Sequence, residues 1–201
     1  MAQPGTTQRR LRGSLTPVVA LVFLLVPSLA RSGAPDGPGQ FFPSQGHCHI
    51  GESCPPRADS YEGFPYNSDP PTSGPHQERF PTTFISESPL PKRIVVHILE
   101  HGNVLILYNG KASTAQIEKL RSYARRYDFR FWRLQQPLSP GADIGEQLET
   151  AQAVFLAPYP AMSDTIALVA WTRLETLDDY DEDRINRFAK AWVGNAANAR
   201  Q

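Results

Sequence analysis

Pro91-Lys92-Arg93-Ile94-Val95-Val96-His97-Ile98-Leu99-Glu100-His101-Gly102-Asn103 is the stretch on which the reading of this chain turns. It opens the part of the sequence with a regular apolar pattern, and it carries two of the five histidines. The β-branched run Ile94-Val95-Val96 suits a strand. Pro91 suits the start of a helix, and Gly102-Asn103 suits its end. On a strand, His97 and His101 share a face but stand ~13 Å apart, because each residue rises ~3.3 Å. On a helix they share a face with Cβ atoms ~6 Å apart. Both imidazoles then reach one metal through bonds of ~2.0–2.1 Å. The end signals favour the helix, and the sequence predicts one over Lys92 to His101.

Downstream, Val104 to Tyr108 is a short apolar run that reads as a buried strand. Ser113 with Gln116 three residues on has capping-box spacing. Ile117, Leu120, Ala124 and Tyr127 then recur at helical intervals, with Lys119, Arg121, Arg125 and Arg126 on the solvated side. Phe129 to Leu134 reads as another strand, and Asp143 to Ala151 as a short helix. Ala153 to Ala157 and Thr165 to Thr172 are two further apolar strands, which need cover on both faces. A last helix starts in the acidic Asp181-Glu182-Asp183 and ends at Gly194. The expected fold is α/β, a small mixed sheet covered by helices. The order is compatible with a thioredoxin-like arrangement, but there is no Cys-x-x-Cys, so thioredoxin-type redox chemistry is not expected.

Upstream the composition changes. Ten of the nineteen prolines fall between Pro43 and Pro91. That density forbids helix interiors and central strands. Residues 47–91 are therefore expected to form an irregular, proline-rich collar, pinned by its aromatic residues to the α/β core of residues 92–194. Residues 195–201 are a tail. Residues 31–46, rich in Gly, Pro and Ser, read as a flexible linker. Residues 1–30 read as an export signal: Arg9, Arg10 and Arg12 precede the apolar run Leu15 to Ala30, and Ser28-Leu29-Ala30 offers small residues for cleavage. Its sixteen residues would span ~24 Å as a helix, short of the ~30 Å hydrocarbon core, so a retained membrane anchor is the lesser alternative. Removal of residues 1–30 leaves 17 basic against 20 acidic residues, a net charge of −3. No basic footprint remains, and nucleic acid is not a credible partner. The sequence names no protein partner.

Both cysteines lie in His47-Cys48-His49-Ile50-Gly51-Glu52-Ser53-Cys54. In an exported protein a Cys48–Cys54 disulfide is the plain reading. A Cys48 thiolate beside two histidines is the other, as a metal ligand. The two exclude one another.

Pro70-Pro71-Thr72-Ser73-Gly74-Pro75-His76, followed by His97-x-Leu99-Glu100-His101-Gly102 and a strand ending in Tyr108, resembles domain-of-unknown-function family 3105. These are exported bacterial proteins without an established activity. The likeness continues through Ala157-Pro158-Tyr159, Ala170-Trp171, Asp181, Ile185 and Phe188, and covers roughly Phe42 to Gly194. His49, in Gly46-x-x-His49-Ile50, fits an upstream histidine of the family. His47, Cys48 and Cys54 lie outside its pattern. The resemblance implies a compartment and no reaction.

Three functions fit these residues. In the first, His76, His97 and His101 bind one divalent metal, with His49 as fourth ligand. All five histidines lie between His47 and His101. Imidazole ligands suit copper or zinc, and the scarcity of methionine disfavours a methionine-rich copper(I) carrier. Prolines on both sides of Thr72-Ser73-Gly74 stiffen the turn that aims His76. In the second, His97-x-x-Glu100-His101 matches the H-x-x-E-H string of inverted zinc peptidases, and Glu100 is the general base of a hydrolase. In the third, the histidines merely tie the collar to the sheet of a structural or protein-binding domain.

Overall fold

The computed structural model describes residues 1–2, 36–51, 54, 63–134 and 152–195. The chain divides into two units, Met1–Gly33 and Ala34–Gln201. The second holds every helix and strand among the described residues.

The stretch containing His97 is helical: α1 spans Lys92–Glu100, with His101 as its C-cap. Gly102 takes a φ of +74°, a left-handed conformation that ends helices, and its N–H donates to the Leu99 carbonyl. Asn103 then fastens the helix end to the sheet. Its side-chain amide donates to the Ile98 carbonyl at 2.9 Å, and its Oδ1 accepts from the Ala153 N–H at 2.8 Å.

Five strands form one mixed α/β sheet with four helices: β1 Gln40–Phe41, β2 Val104–Tyr108, β3 Val154–Pro158, β4 Ile166–Ala170 and β5 Arg173–Leu177. Their order is β1-β5-β4-β2-β3. The β2–β3 pair is parallel and the other pairs are antiparallel. The period of two sorts the side chains between two cores. Leu105, Leu107, Phe155, Ala157, Ala167 and Val169 meet Ile94, Val95, Ile98 and Leu99 of α1 on one face. Val104, Ile106, Val154, Leu156, Ile166 and Leu168 meet the other face. There they pack on Leu120 and Tyr123 of α2 (Thr114–Ala124) and on Ile185, Phe188 and Trp192 of α4 (Glu182–Trp192). The expected capping box is present: Ser113 accepts from the Gln116 N–H, and Gln116 accepts from the Ser113 N–H.

Two expectations are corrected, and a strand absent from the sequence reading is added. Phe129 to Leu134 is not a strand but lies in a helix, α3, Asp128–Leu134. A short aromatic run fits either period, and here it follows α2 through a 3₁₀ turn without a break. Residues 31–46 are not a linker throughout. Gln40–Phe41 is β1, and Trp192 Nε1 donates to the Pro38 carbonyl at 3.0 Å. Glycine makes that close passage feasible, since a Cβ on Gly39 would stand 2.8 Å from the Phe188 ring. The expected strand at Thr165 to Thr172 is present as β4, but the chain does not leave the sheet after it. It turns at Trp171-Thr172 into β5, with Thr172 at φ +60°. A β-branched residue in that conformation gives no turn signal in the sequence. Contacts hold it instead, because its N–H donates to Thr72 and its carbonyl accepts from Phe42. The expected helix at Asp143 to Ala151 lies outside the described residues.

Residues 64–91 carry no helix and no strand beyond single bridges at His76 and Ile85. They lie against the α1 side of the sheet through Tyr66, Phe80 and Phe84.

Candidate metal centre

Three segments deliver the site. Helix α1 supplies His97 and Glu100, one turn apart and on one face. The Thr72-Ser73-Gly74-Pro75 turn supplies His76. Gly74 has a φ of +123°, and a Cβ there would meet the Tyr66 ring at 3.0 Å. Tyr66 in turn donates its hydroxyl to the Pro75 carbonyl at 2.8 Å. The third segment carries His49. The His76 N–H donates to the Cys48 carbonyl at 3.1 Å, and the Ile50 N–H donates to the His76 carbonyl at 2.9 Å. This one-step parallel bridge sets His49 and His76 side by side, their ring centres 4.9 Å apart. A Cys48–Cys54 disulfide closes the loop around His49. The disulfide fits an oxidising, extracytoplasmic compartment and removes Cys48 from the ligand set.

Glu100 is the centre of the arrangement. Its Oε2 lies 2.8 Å from His76 Nε2, 3.4 Å from His49 Nε2 and 3.8 Å from His97 Nδ1. One donor atom from each of His49, His76, His97 and Glu100 lies within 4.8 Å of the others, a grouping that could hold a metal ion. Two ligands sharing one ion through bonds of ~2.0–2.1 Å stand at most ~4.2 Å apart, and ~3.4 Å apart in a tetrahedral site, so holding an ion there draws the widest pair together by up to about 1.4 Å.

The protonation pattern suits a cation. His76 is fully buried, and its Nδ1 lies 2.9 Å from the Gly74 carbonyl, which can only accept. Nδ1 therefore carries a proton. Nε2 then faces the carboxylate either as the second N–H of an imidazolium or as a lone pair with a cation between. His97 is 3% exposed, and its Nδ1 has no hydrogen-bond partner. Burial pushes His97 down to about 3, and neighbouring His101 and His76 add to the effect, so its single ring lone pair stays available at neutral pH. Burial pushes the Glu100 carboxyl up, but the His76 hydrogen bond and the field of the surrounding imidazoles outweigh it and hold the group at about 2.

Of the residues named from sequence, His49, His76 and His97 come together. His101 stands beside them, outside the four-donor group. Its ring centre lies 4.6 Å from that of His97 and 5.0 Å from that of Phe80, and burial lowers its pKa. Glu100 occupies the position that helical spacing assigned to His101. The i, i+3 spacing of His97 and Glu100 carried that signal, weaker than the doubled histidine.

The family described as "Protein of unknown function (DUF3105)" matches residues 58–201. The chain belongs to this family. The matched span of the DUF3105 chain contains His76, His97, Glu100 and His101, while His47, His49 and both cysteines precede it. No curated protein and no solved structure matches the chain. Among the described residues, no helix is long and apolar enough to cross a membrane.

Proposed function

We propose that this DUF3105 protein is an exported domain that binds one divalent metal, zinc(II) or copper(II), through His49, His76, His97 and Glu100. The observation that carries the reading is the buried, unpartnered Nδ1 of His97 beside the carboxylate oxygen on which two other imidazoles converge. A buried polar atom left unpaired costs about 1–3 kcal/mol, and a metal bond removes that cost. Three imidazole nitrogens and one carboxylate oxygen, with no thiolate, suit zinc(II) and copper(II) rather than copper(I). The Gly74 carbonyl orients His76 from behind, as outer partners of ligating histidines do.

The hydrolase reading needs a Glu100 free of the metal. With Oε2 among the imidazole nitrogens, Glu100 is better read as a ligand, and the general-base role loses its residue. His101 is read as packing beside the site.

Calorimetric titration of metal-free protein with zinc(II) and copper(II) tests the proposal. One equivalent should bind, and the melting temperature should rise with metal concentration, as for any ligand selective for the folded state. Single changes His76→Ala, His97→Ala and Glu100→Gln should each abolish that rise. If neither ion binds with a Kd below about 1 µM, the proposal fails and the tie between loops and sheet is structural.

A further inference from the structure

Glu100 turns its two oxygens to different neighbours. Oε2 faces inward to His49, His76 and His97, whereas Oε1 faces His47 Nδ1 at 3.7 Å. That separation lies within the ~4.2 Å reach of two ligands on one ion. The two sides differ in their access to water. The His47 side chain is 58% exposed and that of His49 27%, while His76 and His97 stand at 0% and 3%. Glu78, 62% exposed, places Oε2 4.0 Å from His49 Nδ1 at the same rim. On the buried side of the site the partly buried Phe80 packs on His97, their ring centres 4.6 Å apart. An ion reaching the inner donors from solvent thus has the His47 side as its open approach.

We infer that His47 Nδ1 and Glu100 Oε1 form an outer, transient metal site through which a divalent ion enters and leaves the inner one. The inference rests on the proposed inner site. A hydrated ion exchanges one water for His47 and another for Oε1, and then moves across the carboxylate to Oε2 as the inner imidazoles replace its remaining waters. Metal–ligand bonds replace metal–water bonds, the proton between His76 Nε2 and Glu100 leaves to water as the ion takes its place, and no electron is transferred. Glu100 is the pivot and His47 the exposed hand-over ligand. His47 therefore contributes to the rate of exchange and little to the final affinity.

Stopped-flow mixing reads both directions: metal-free protein with zinc(II), and zinc-loaded protein with excess chelator. A group on the route lowers the barrier both ways. In His47→Ala, loading and stripping should each slow about five-fold or more while Kd, their ratio, stays within about two-fold. Unchanged rates overturn the inference. A Kd weakened well beyond that margin also overturns it, since His47 would then be an equilibrium ligand. Glu78→Gln removes a rim charge but no imidazole. If it slows loading as much as His47→Ala does, general attraction of cations to the rim replaces the hand-over. Normal zinc(II) affinity with unaltered kinetics in His47→Ala sinks this route alone, whereas absence of zinc(II) binding by the unaltered protein sinks the inner site as well.

Discussion

His97 joins two demands that conflict without a metal. Its ring lies in the core, 4.6 Å from Phe80, yet its Nδ1 is unpaired. Replacement by an apolar residue of similar bulk separates them. His97→Leu should leave the metal-free protein as stable as before or more so, because the unpaired atom is gone, while metal-dependent stabilisation disappears. Thermal melts with and without zinc(II) check this, and a metal-dependent rise surviving in His97→Leu rules His97 out as a ligand. The same residue sets an acid limit. Its folded pKa of about 3 lies below the 6.5 of an ordinary imidazole, so the unfolded chain takes up the proton first. Proton uptake by the unfolded chain costs nothing above about pH 6.5 and lowers stability progressively as pH falls toward 3. Melting temperature of metal-free protein against pH should therefore fall across that window, and fall less steeply in His97→Leu.

At the scale of elements, α1 is held by what its other face buries. Val95, Ile98 and Leu99 are fully buried against the sheet, each worth about 1.5–3 kcal/mol relative to exposure. The β-branched run that argued for a strand is therefore carried by packing, which outweighs a propensity cost below about 1 kcal/mol per residue. The turn that aims His76 is itself buried, with Thr72, Ser73 and His76 at 0% exposure, and its conformation depends on glycine. Gly74→Ala introduces a Cβ at φ +123°, 3.0 Å from Tyr66, and should shift the Gly74 carbonyl that holds His76 Nδ1. The expected outcome is weaker metal binding together with a stability loss of about 1 kcal/mol or more. Calorimetry and denaturant unfolding read the two effects, and wild-type affinity would mean that His76 is aimed without the turn.

For the whole molecule, a metal held at the proposed site would be a cross-link. The candidate donors come from the disulfide loop, the proline-braced turn and α1, so binding of a metal there would be coupled to the docking of these segments. Changing both Cys48 and Cys54 to Ser should weaken metal binding, because the loop that carries His49 loosens. The loss of stability should be below the ~3 kcal/mol of a fifteen-residue loop, since only six residues separate the pair in sequence. Undiminished affinity would show that the backbone bridge to His76 alone places His49. Intact mass of protein from its native host, taken before and after alkylation, tests the compartment. A chain beginning near Arg31 with both cysteines blocked is expected, and a retained Met1 with two free thiols would contradict export.

Local rules were enough for the elements whose signals are local. The capping box at Ser113, the acidic start and glycine end of α4, and the apolar runs of β2 and β3 are each written in adjacent residues. So was the end of α1, where Gly102 and Asn103 overrule a β-branched run. The disulfide needed only two cysteines and a compartment. Tertiary structure alone decided the rest. The β4–β5 turn puts threonine at a positive φ, which contacts with Thr72 and Phe42 hold in place and no turn residue announces. β1 is two residues long and exists because β5 offers an edge. In the site, sequence spacing showed that His97 and His101 could share a helix face. It could not show that Glu100, one position earlier, would be the residue met by His49 and His76. Which of two adjacent side chains faces a partner depends on where segments twenty to fifty residues away are docked, and that docking is set by long-range burial rather than by local pattern.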